Sequence, residues 1–340
     1  MLFVIKRWFR VFSNVVTKKS VFWGGKTMKL ARFKVLFLFS TFFGGVHFNV
    51  IKPMLSTENI ECWDHAIQGR RKTMEDKHVT NLKVDLGEGR KGAFFAVFDG
   101  FNGDQSAEYL KQHLLTNVHK ELMGCNLEEK VEIKWALEDS FSSTNSNLKN
   151  EREIKWGPAV WVGSTAIVAL IKGNKLFIAN VGDSRAVLSE NKKVFFATTD
   201  HKPSNKEEKE RVEKEGGLIR HLGEEGWFSA WRLIVIEDRK RKSLGVTRAF
   251  GYGTLEEKVV IADPKITVHT LSSENDFLIL ACDGVWDTVD NQKAIEIVST
   301  AINENKNPAE KLVTQAHQKG SQDNITAIVV DLRKYTKTLK

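Results

Sequence analysis

Five places along the chain set carboxylates where an apolar run ends or a turn begins: Glu75-Asp76, Asp99, Asp183, Asp283 with Asp287, and Asp323 just ahead of Asn324. Any one of them is an ordinary turn residue, because Asp bonds its own backbone and tolerates tight turns. Five, each beside a strand that should enter one core, ask for another reason. Carboxylates gathered at one end of a sandwich repel one another, and a cation is what offsets that repulsion. Oxygen donors with no matching His or Cys set describe a hard-cation site, suited to Mg2+ or Mn2+. Cys62, Cys125 and Cys282 are odd in number and far apart. They make neither a metal spacing nor a disulfide framework, which leaves a reducing compartment as the default.

The surrounding elements must hold these acids together. Phe94–Phe98 ("FFAVF") is a short apolar run, consistent with a buried strand that ends on Asp99. Ala107, Leu110, Leu114, Val118 and Leu122 then recur at helical spacing, with Asp104 placed to cap the helix. A second helix is expected over "EEKVEIKWALEDSF", with Val131, Trp135 and Leu137 or Glu138 on its apolar face. From Ser164 to Thr198, tight-turn text at Gly173-Asn174 and Glu190-Asn191-Lys192 separates β-branched runs and reads as an antiparallel meander. A polar helix from Ser204 stops at Gly216-Gly217. "DFLILACDGVWD" is a buried strand ending on acids, "NQKAIEIVSTAIN" and "PAEKLVTQAH" are amphipathic helices, and "NITAIVVDL" closes the pattern. Hairpins in series, with helices in pairs, predict an α+β fold: a two-sheet antiparallel β-sandwich flanked by helices on both faces, and not a doubly wound parallel sheet.

The charge is unevenly spread. The chain has 51 Lys or Arg and 43 Asp or Glu, yet residues 1–57 hold ten of the former and none of the latter. The other 41 basic and 43 acidic residues nearly cancel, so the formal +8 belongs to a leader. A nucleic-acid-binding body would instead stripe basic charge along the domain. Within the leader, Val35–Ile51 is nearly uncharged over 17 residues, short of the roughly 20 of a spanning helix. The text from Met28 fits a signal peptide, basic ahead of an apolar run of about 7–15 residues. A membrane anchor at 35–51 or a secretory signal is the leading expectation. Mitochondrial import, which favours basic, acid-free leaders, and a cytoplasmic protein with a disordered extension are the alternatives. The expected organisation is a leader at 1–57, one domain at 58–335 and a short basic tail at 336–340.

Seven segments carry a resemblance: "GRRKTMED" (69–76), "FFAVFDG" (94–100), "GSTAIVALI" with "ANVGDSRAVL" (163–188), "DHKP" (200–203), "TRAFG" (247–251), "LACDGVWD" (280–287) and "DNITAIVV" (323–330). In order, over roughly Glu61 to Leu332, they resemble the motifs of the metal-dependent PP2C-type protein serine/threonine phosphatases. The resemblance implies a two-sheet sandwich with two divalent ions at one end. Asp99 would bridge both ions and the Gly100 carbonyl would ligate one. Glu75 and Asp76 would act at the ions or through their waters, and Asp283 and Asp323 would complete the pair. Asp183 and Asp287 match acids linked in the family to a weaker third ion. Arg71 matches the phosphate-binding arginine, and a guanidinium fork suits a phosphate because it pairs two oxygens without losing its charge. Two ions about 3.5–4 Å apart lower the pKa of a shared water, so that hydroxide can attack phosphorus near neutral pH without a phosphoenzyme. Phosphorylated proteins are the implied partners, with no nucleic acid and a monomeric catalytic domain.

Three departures qualify that expectation. Where the family writes Asp-Gly-His-Gly-Gly, this chain has Asp99-Gly100-Phe101-Asn102-Gly103. The histidine is the family's general acid toward the leaving alkoxide, and a general acid typically contributes about 10²–10⁴-fold. With Phe101 there, poor leaving groups should suffer more than aryl phosphates, and Phe101→His should improve a phosphothreonine peptide more. Second, the family's "SRAFGD" becomes Thr247-Arg248-Ala249-Phe250-Gly251-Tyr252, losing an acid. Third, Trp231 to Gly251 runs a few residues long, with "EDRKRK" (237–242) expected as a solvated loop tip; a docking site for acidic substrates is the sharper option. Two classes of function follow: a working phosphatase, slowed by Phe101, or an impaired relative that keeps fold and metals and acts as a binding or regulatory module. The first is favoured because every metal carboxylate is present, and drift would discard acids that only a metal compensates.

Overall fold

The computed structural model describes residues 57–87, 90–123, 125–155, 162–223, 230–237, 240–252 and 258–338. The anchor, signal or import segment expected within 1–57, including 35–51, lies outside them apart from Thr57. Among the described residues no helix is long and apolar enough to cross a membrane.

Along the chain come β1 (Glu61–Ile67), β2 (Lys77–Asp85), β3 (Lys91–Phe98) and the short β4 (Gly100–Phe101). Helices α1 (Gln105–Leu122) and α2 (Lys130–Lys155) follow, then β5 (Gly163–Ser164), β6 (Ala166–Lys172), β7 (Lys175–Val181), β8 (Arg185–Glu190) and β9 (Lys193–Ala197). Helix α3 (Lys206–Lys214) leads into β10 (Leu218–Leu222), β11 (Ala230–Glu237) and β12 (Lys240–Leu244). The last part is β13 (Lys265–Thr270), β14 (Asn275–Ala281), α4 (Asp283–Trp286), α5 (Asn291–Asn303), α6 (Pro308–Gln318), β15 (Ile325–Asp331) and α7 (Arg333–Lys337). Two five-stranded antiparallel sheets result, ordered β1-β15-β14-β8-β9 and β13-β7-β6-β3-β2.

Period-two alternation explains why these strands are apolar on both faces. Phe95 and Val97 of β3, Ile167 and Ala169 of β6, and Leu278 and Leu280 of β14 meet in the core between the sheets. The alternate residues Phe94, Ala96 and Phe98 face outward and are covered by Leu110, Leu114 and Val118 of α1 and Phe141 of α2. On the other side, Ile279, Ala281, Val329 and Ala327 are covered by Ile295 and Val298 of α5 and Leu312 and Val313 of α6. The helix–sheet–sheet–helix sandwich is the one the sequence pattern predicts.

Five local expectations change. Asp104 stands at the α1 N-cap position, but its carboxylate bonds Lys77 (2.9 Å) and makes no cap bond. In α2 the buried face is Ile133, Ala136, Leu137 and Phe141, while Val131 is exposed and Trp135 only half-buried. That helix also runs on past Phe141 to Lys155, and buried Ser140 and Thr144 satisfy their hydroxyls on the carbonyls of Leu137 and Ser140. Helix α3 is capped by Asn205, whose side chain accepts from the Glu207 and Glu208 amides, one residue later than the expected start at Ser204. Finally, the described residues of the stretch read as a loop tip, 237 and 240–242, are paired strand: Val235 lies opposite Lys242 and Glu237 opposite Lys240 across β11 and β12. Cross-strand hydrogen bonding sustains the charged text as strand.

Candidate metal centre and phosphate cleft

Pairing register decides where the acids end up. Phe98, at the end of β3, lies opposite Lys77, at the start of β2, so Asp76 and Asp99 leave the sheet at the same end. Ala166 lies opposite Val181, and Ala281 opposite both Ala327 and Arg185. That brings Asp183, Asp283 and Asp323 to the same end. Ligand atoms of Asp99, Asp183 and Asp283 all lie within 4.8 Å of one another. They stand in a cleft of about 830 Å³ that also includes Arg71, Glu75, Asp287 and Asp323.

The electrostatics are those of buried acids crowded against one another. Burial and the charges of Asp283, Asp76, Asp183 and Asp323 push the Asp99 carboxyl well above the usual carboxylate range. Burial, then Asp183, Asp287 and Asp323, does the same to Asp283. Asp76 is pushed up to about 6 by burial, against the bond from Thr326 Oγ1 to its Oδ2 (2.7 Å). Its Oδ1 is buried without a protein partner. A buried, unpaired carboxylate oxygen next to mutually repelling acids is costly without a cation. The donor set is all oxygen, so these residues fit hard divalent ions.

The expected site residues divide by what they touch. Arg71 Nη2 donates to Asp323 Oδ2 (2.5 Å), and Asp323 Oδ1 accepts from the Asn324 amide (2.7 Å). Gly69 permits this contact: it has φ +61°, and a Cβ there would fall 2.0 Å from the Asp323 carbonyl oxygen. Glu75 has both carboxylate oxygens engaged, by Thr73 Oγ1 (2.8 Å) and by the Gly103 amide (2.9 Å). It thereby ties the Arg71 loop to the Asp99–Gly103 turn. Gly100 pairs with Ser164 in the β4–β5 ladder, and Asp287 sits exposed at the rim beyond α4. Phe101 lies half-buried with its ring over Gly163, where a Cβ would come within 2.2 Å of the ring.

Two contributors lacked an assigned role in the sequence. Lys202 of "DHKP" sets its ammonium 3.4 Å from Asp183 and 3.5 Å from Asp287. Although burial opposes it, those acids hold the Lys202 pKa above its usual value. Asn324 accepts from the Glu75 amide (2.8 Å) and donates to the carbonyls of Gln68 (2.7 Å) and Thr73 (2.8 Å), so it frames the Arg71 loop. Both belong to motifs visible in the sequence, but only the folded contacts give them a task.

The family model for protein phosphatase 2C matches residues 60–325. The "Probable protein phosphatase 2C 59" of Oryza sativa subsp. japonica is 37% identical over 264 residues, covering 77% of this chain and 72% of that protein. The Arabidopsis thaliana protein of the same description is 37% identical over 265 residues, covering 77% and 76%. An Oryza sativa relative, "Probable protein phosphatase 2C member 13, mitochondrial", is 34% identical over 271 residues, covering 80% and 68%. Among solved structures, the serine-threonine phosphatase 2C from Toxoplasma gondii matches with a TM-score of 0.70 at 25% identity, over 80% of this chain and 94% of that one. A C. elegans sex determining protein shares the fold, with a TM-score of 0.69 at 23% identity over 83% and 67% of the two chains. Sequence and fold agree, and the chain belongs to the protein phosphatase 2C family of protein serine/threonine phosphatases.

Proposed function

We propose that this chain hydrolyses phosphoserine and phosphothreonine in protein substrates by direct attack of water, with Mg2+ or Mn2+ held by Asp76, Asp99, Asp283 and Asp323 and the Gly100 carbonyl. The observation that carries this reading is the convergence of ligand atoms of Asp99, Asp183 and Asp283 within 4.8 Å of one another, beside the buried Asp76. Bound there, a pair of divalent ions supplies hydroxide near neutral pH and Lewis-acid stabilisation of the phosphoryl oxygens. Arg71 is at the cleft with much of its side chain open to solvent, where its guanidinium can pair two phosphate oxygens. Asp323 aims that guanidinium, and Asn324 and Glu75 hold the loop that carries it. Asp183 and Asp287, with Lys202 between them, form the weaker ion position. Phe101 has no proton to give, so the departing alkoxide takes its proton from water and peptide turnover is slow. Residues 1–57 are read as the address or anchor of the domain that follows. The mitochondrial label of one relative supports the import alternative, and mass spectrometry of the mature N-terminus separates the two.

The test is Mn2+-dependent hydrolysis of an aryl phosphate and a phosphothreonine peptide by the purified chain. Metal-dependent turnover of both is expected, weaker on the peptide. Asp99→Asn should lower kcat on either substrate at least about 10²-fold, the scale on which electrostatic groups of an active site act. Intact Mn2+ binding with no turnover of either substrate would sink the phosphatase reading in favour of a binding or regulatory module, which the apolar Phe101 favours.

A further inference from the structure

Strand β11 carries an unresolved charge conflict beside the cleft. Its pairing with β10 sets Arg232 directly opposite Arg220, so the two side chains share one face of the small sheet. Like charges placed so are destabilising. Among the described residues, Arg71, Arg185, Arg211, Arg248 and Arg333 each hold a carboxylate. Neither Arg220 nor Arg232 has one within ion-pair distance among those residues, and Arg220 reaches only the Ile219 carbonyl (3.5 Å). Arg232 is half-buried, so it has given up part of its water with no anion in return. Its guanidinium lies close over Gly245, where a Cβ would fall 2.6 Å from Nη1. Arg232, Ser243 and Gly245 all line the cleft that holds Asp99 and Arg71. Trp231 lines it too, 39% exposed, with the Lys209 ammonium 4.5 Å from its ring centre and His221 edge-on at 5.2 Å. Phe101, two residues beyond Asp99, packs against the apolar cluster to which Leu233 of β11 and Leu244 of β12 belong, so the ribbon adjoins the acid end.

We infer that Arg232, paired across the strands with Arg220, forms a second anion subsite of the cleft, which takes an acidic or phosphorylated side chain flanking the phosphoserine or phosphothreonine of a peptide substrate. The inference rests on the phosphatase reading above. An anion bound there turns one repulsive pair into two attractive ones, and the guanidinium fork suits either a carboxylate or a phosphate. The other cations of the cleft are already engaged. Lys202 is held by Asp183 and Asp287, and Arg71, with Lys72 beside it in sequence, serves the phosphate that is cleaved. The exposed indole next to Arg232 points to a peptide and not a free inorganic anion, because its apolar surface is covered only by a chain with side chains of its own. An aryl phosphate carries one anion and offers nothing to Arg232.

The experiment gives the full chain, with Mn2+, a phosphothreonine peptide with neutral neighbours and a set carrying a second phosphothreonine or a glutamate at varied distance on either side. Each protein is scored by its own ratio of kcat/KM, second-anion peptide over neutral peptide. In the parent the best placement should give a ratio of about tenfold or more, the scale of one charge-assisted contact, carried in KM and shrinking as salt is raised. Arg232→Gln should bring the ratio to within about twofold of unity, and Arg232→Lys should restore part of it. A parent ratio near unity at every placement, or a parent-like ratio in Arg232→Gln, overturns the subsite. Where Arg232→Gln does not fold, Arg220→Gln is read in the same way. A second readout needs no turnover: fluorescence anisotropy of labelled peptides in which a non-hydrolysable phosphonate replaces the phosphothreonine. The second anion should tighten Kd about tenfold in the parent and not in Arg232→Gln, and equal Kd values in the parent overturn the subsite. A parent that shows this binding preference but turns over no peptide sinks the phosphatase reading and leaves the subsite standing; turnover without preference does the reverse.

Discussion

Lys202 gives two of the acids a counter-charge of their own, since its ammonium stands 3.4 Å from Asp183 and 3.5 Å from Asp287. A fixed cation there opposes any ion that would share those acids. Lys202→Met should therefore strengthen binding of the weakest Mn2+ equivalent about tenfold, a modest share of the Coulomb energy of unit charges at that range. Calorimetric titration checks this, and an unchanged weakest site contradicts it. The lysine also marks the limit of what was legible in the sequence. That carboxylates gather at one end could be read because Asp76, Asp99, Asp183, Asp283 and Asp323 each sit at a strand edge or turn, whereas their separate roles rest on the motif resemblance alone. Lys202 and Asn324 could not be given a task, because each works through contacts distant in sequence, which spacing does not encode.

At the level of elements, α3 fastens the segment that carries Tyr252. Buried Glu208 accepts from Arg248 Nη2 (2.5 Å), Arg211 Nη2 (3.0 Å) and Thr247 Oγ1 (2.7 Å). Burial pushes its carboxyl up, but the Arg248, Arg211 and Thr247 bonds outweigh it and hold the pKa at about 2, below the ordinary 4.5. A depressed carboxyl stabilises the fold above its unfolded pKa. That contribution is lost as pH falls from 4.5 toward about 2. Glu208→Gln should destabilise the fold at pH 7 by about 3 kcal/mol, as breaking a buried ion network does. Urea denaturation should show the gap between parent and variant closing as pH drops through that window. A gap that persists at the lowest pH would refute the assignment. This network was invisible in the text "SNKEEKERVEKEGG", which read only as a polar helix. Strand existence and hairpin turns were legible because period-two alternation is a local signal. The face of α2 was not, since serine and threonine hydroxyls bonded to helix carbonyls make polar text buriable.

At the scale of the molecule, the acid end of the sandwich sets function against stability. Asp76, Asp99 and Asp283 all hold their protons more tightly than ordinary carboxylates, because burial and mutual repulsion disfavour their charge. Calorimetric melting should show Mn2+ raising the Tm of the chain at neutral pH. Without metal, Asp99→Asn should melt a few degrees above the parent, at about 2–4 °C per kcal/mol of relieved repulsion, and should lose most of the Mn2+ gain. A lower metal-free Tm would show that Asp99 is not under electrostatic strain. The seam between β1 and β15 has a consequence for synthesis. Strand β1 pairs along all its length with β15, from Glu61↔Asp331 to Ile67↔Ile325, and Arg71 reaches Asp323 across 252 positions. A ribosome delivers β1 long before its partner exists, so the nascent chain holds an unpaired strand until translation is nearly over. A message cut short before β15 would yield a polypeptide whose first sheet is split, with β1 left without a partner strand.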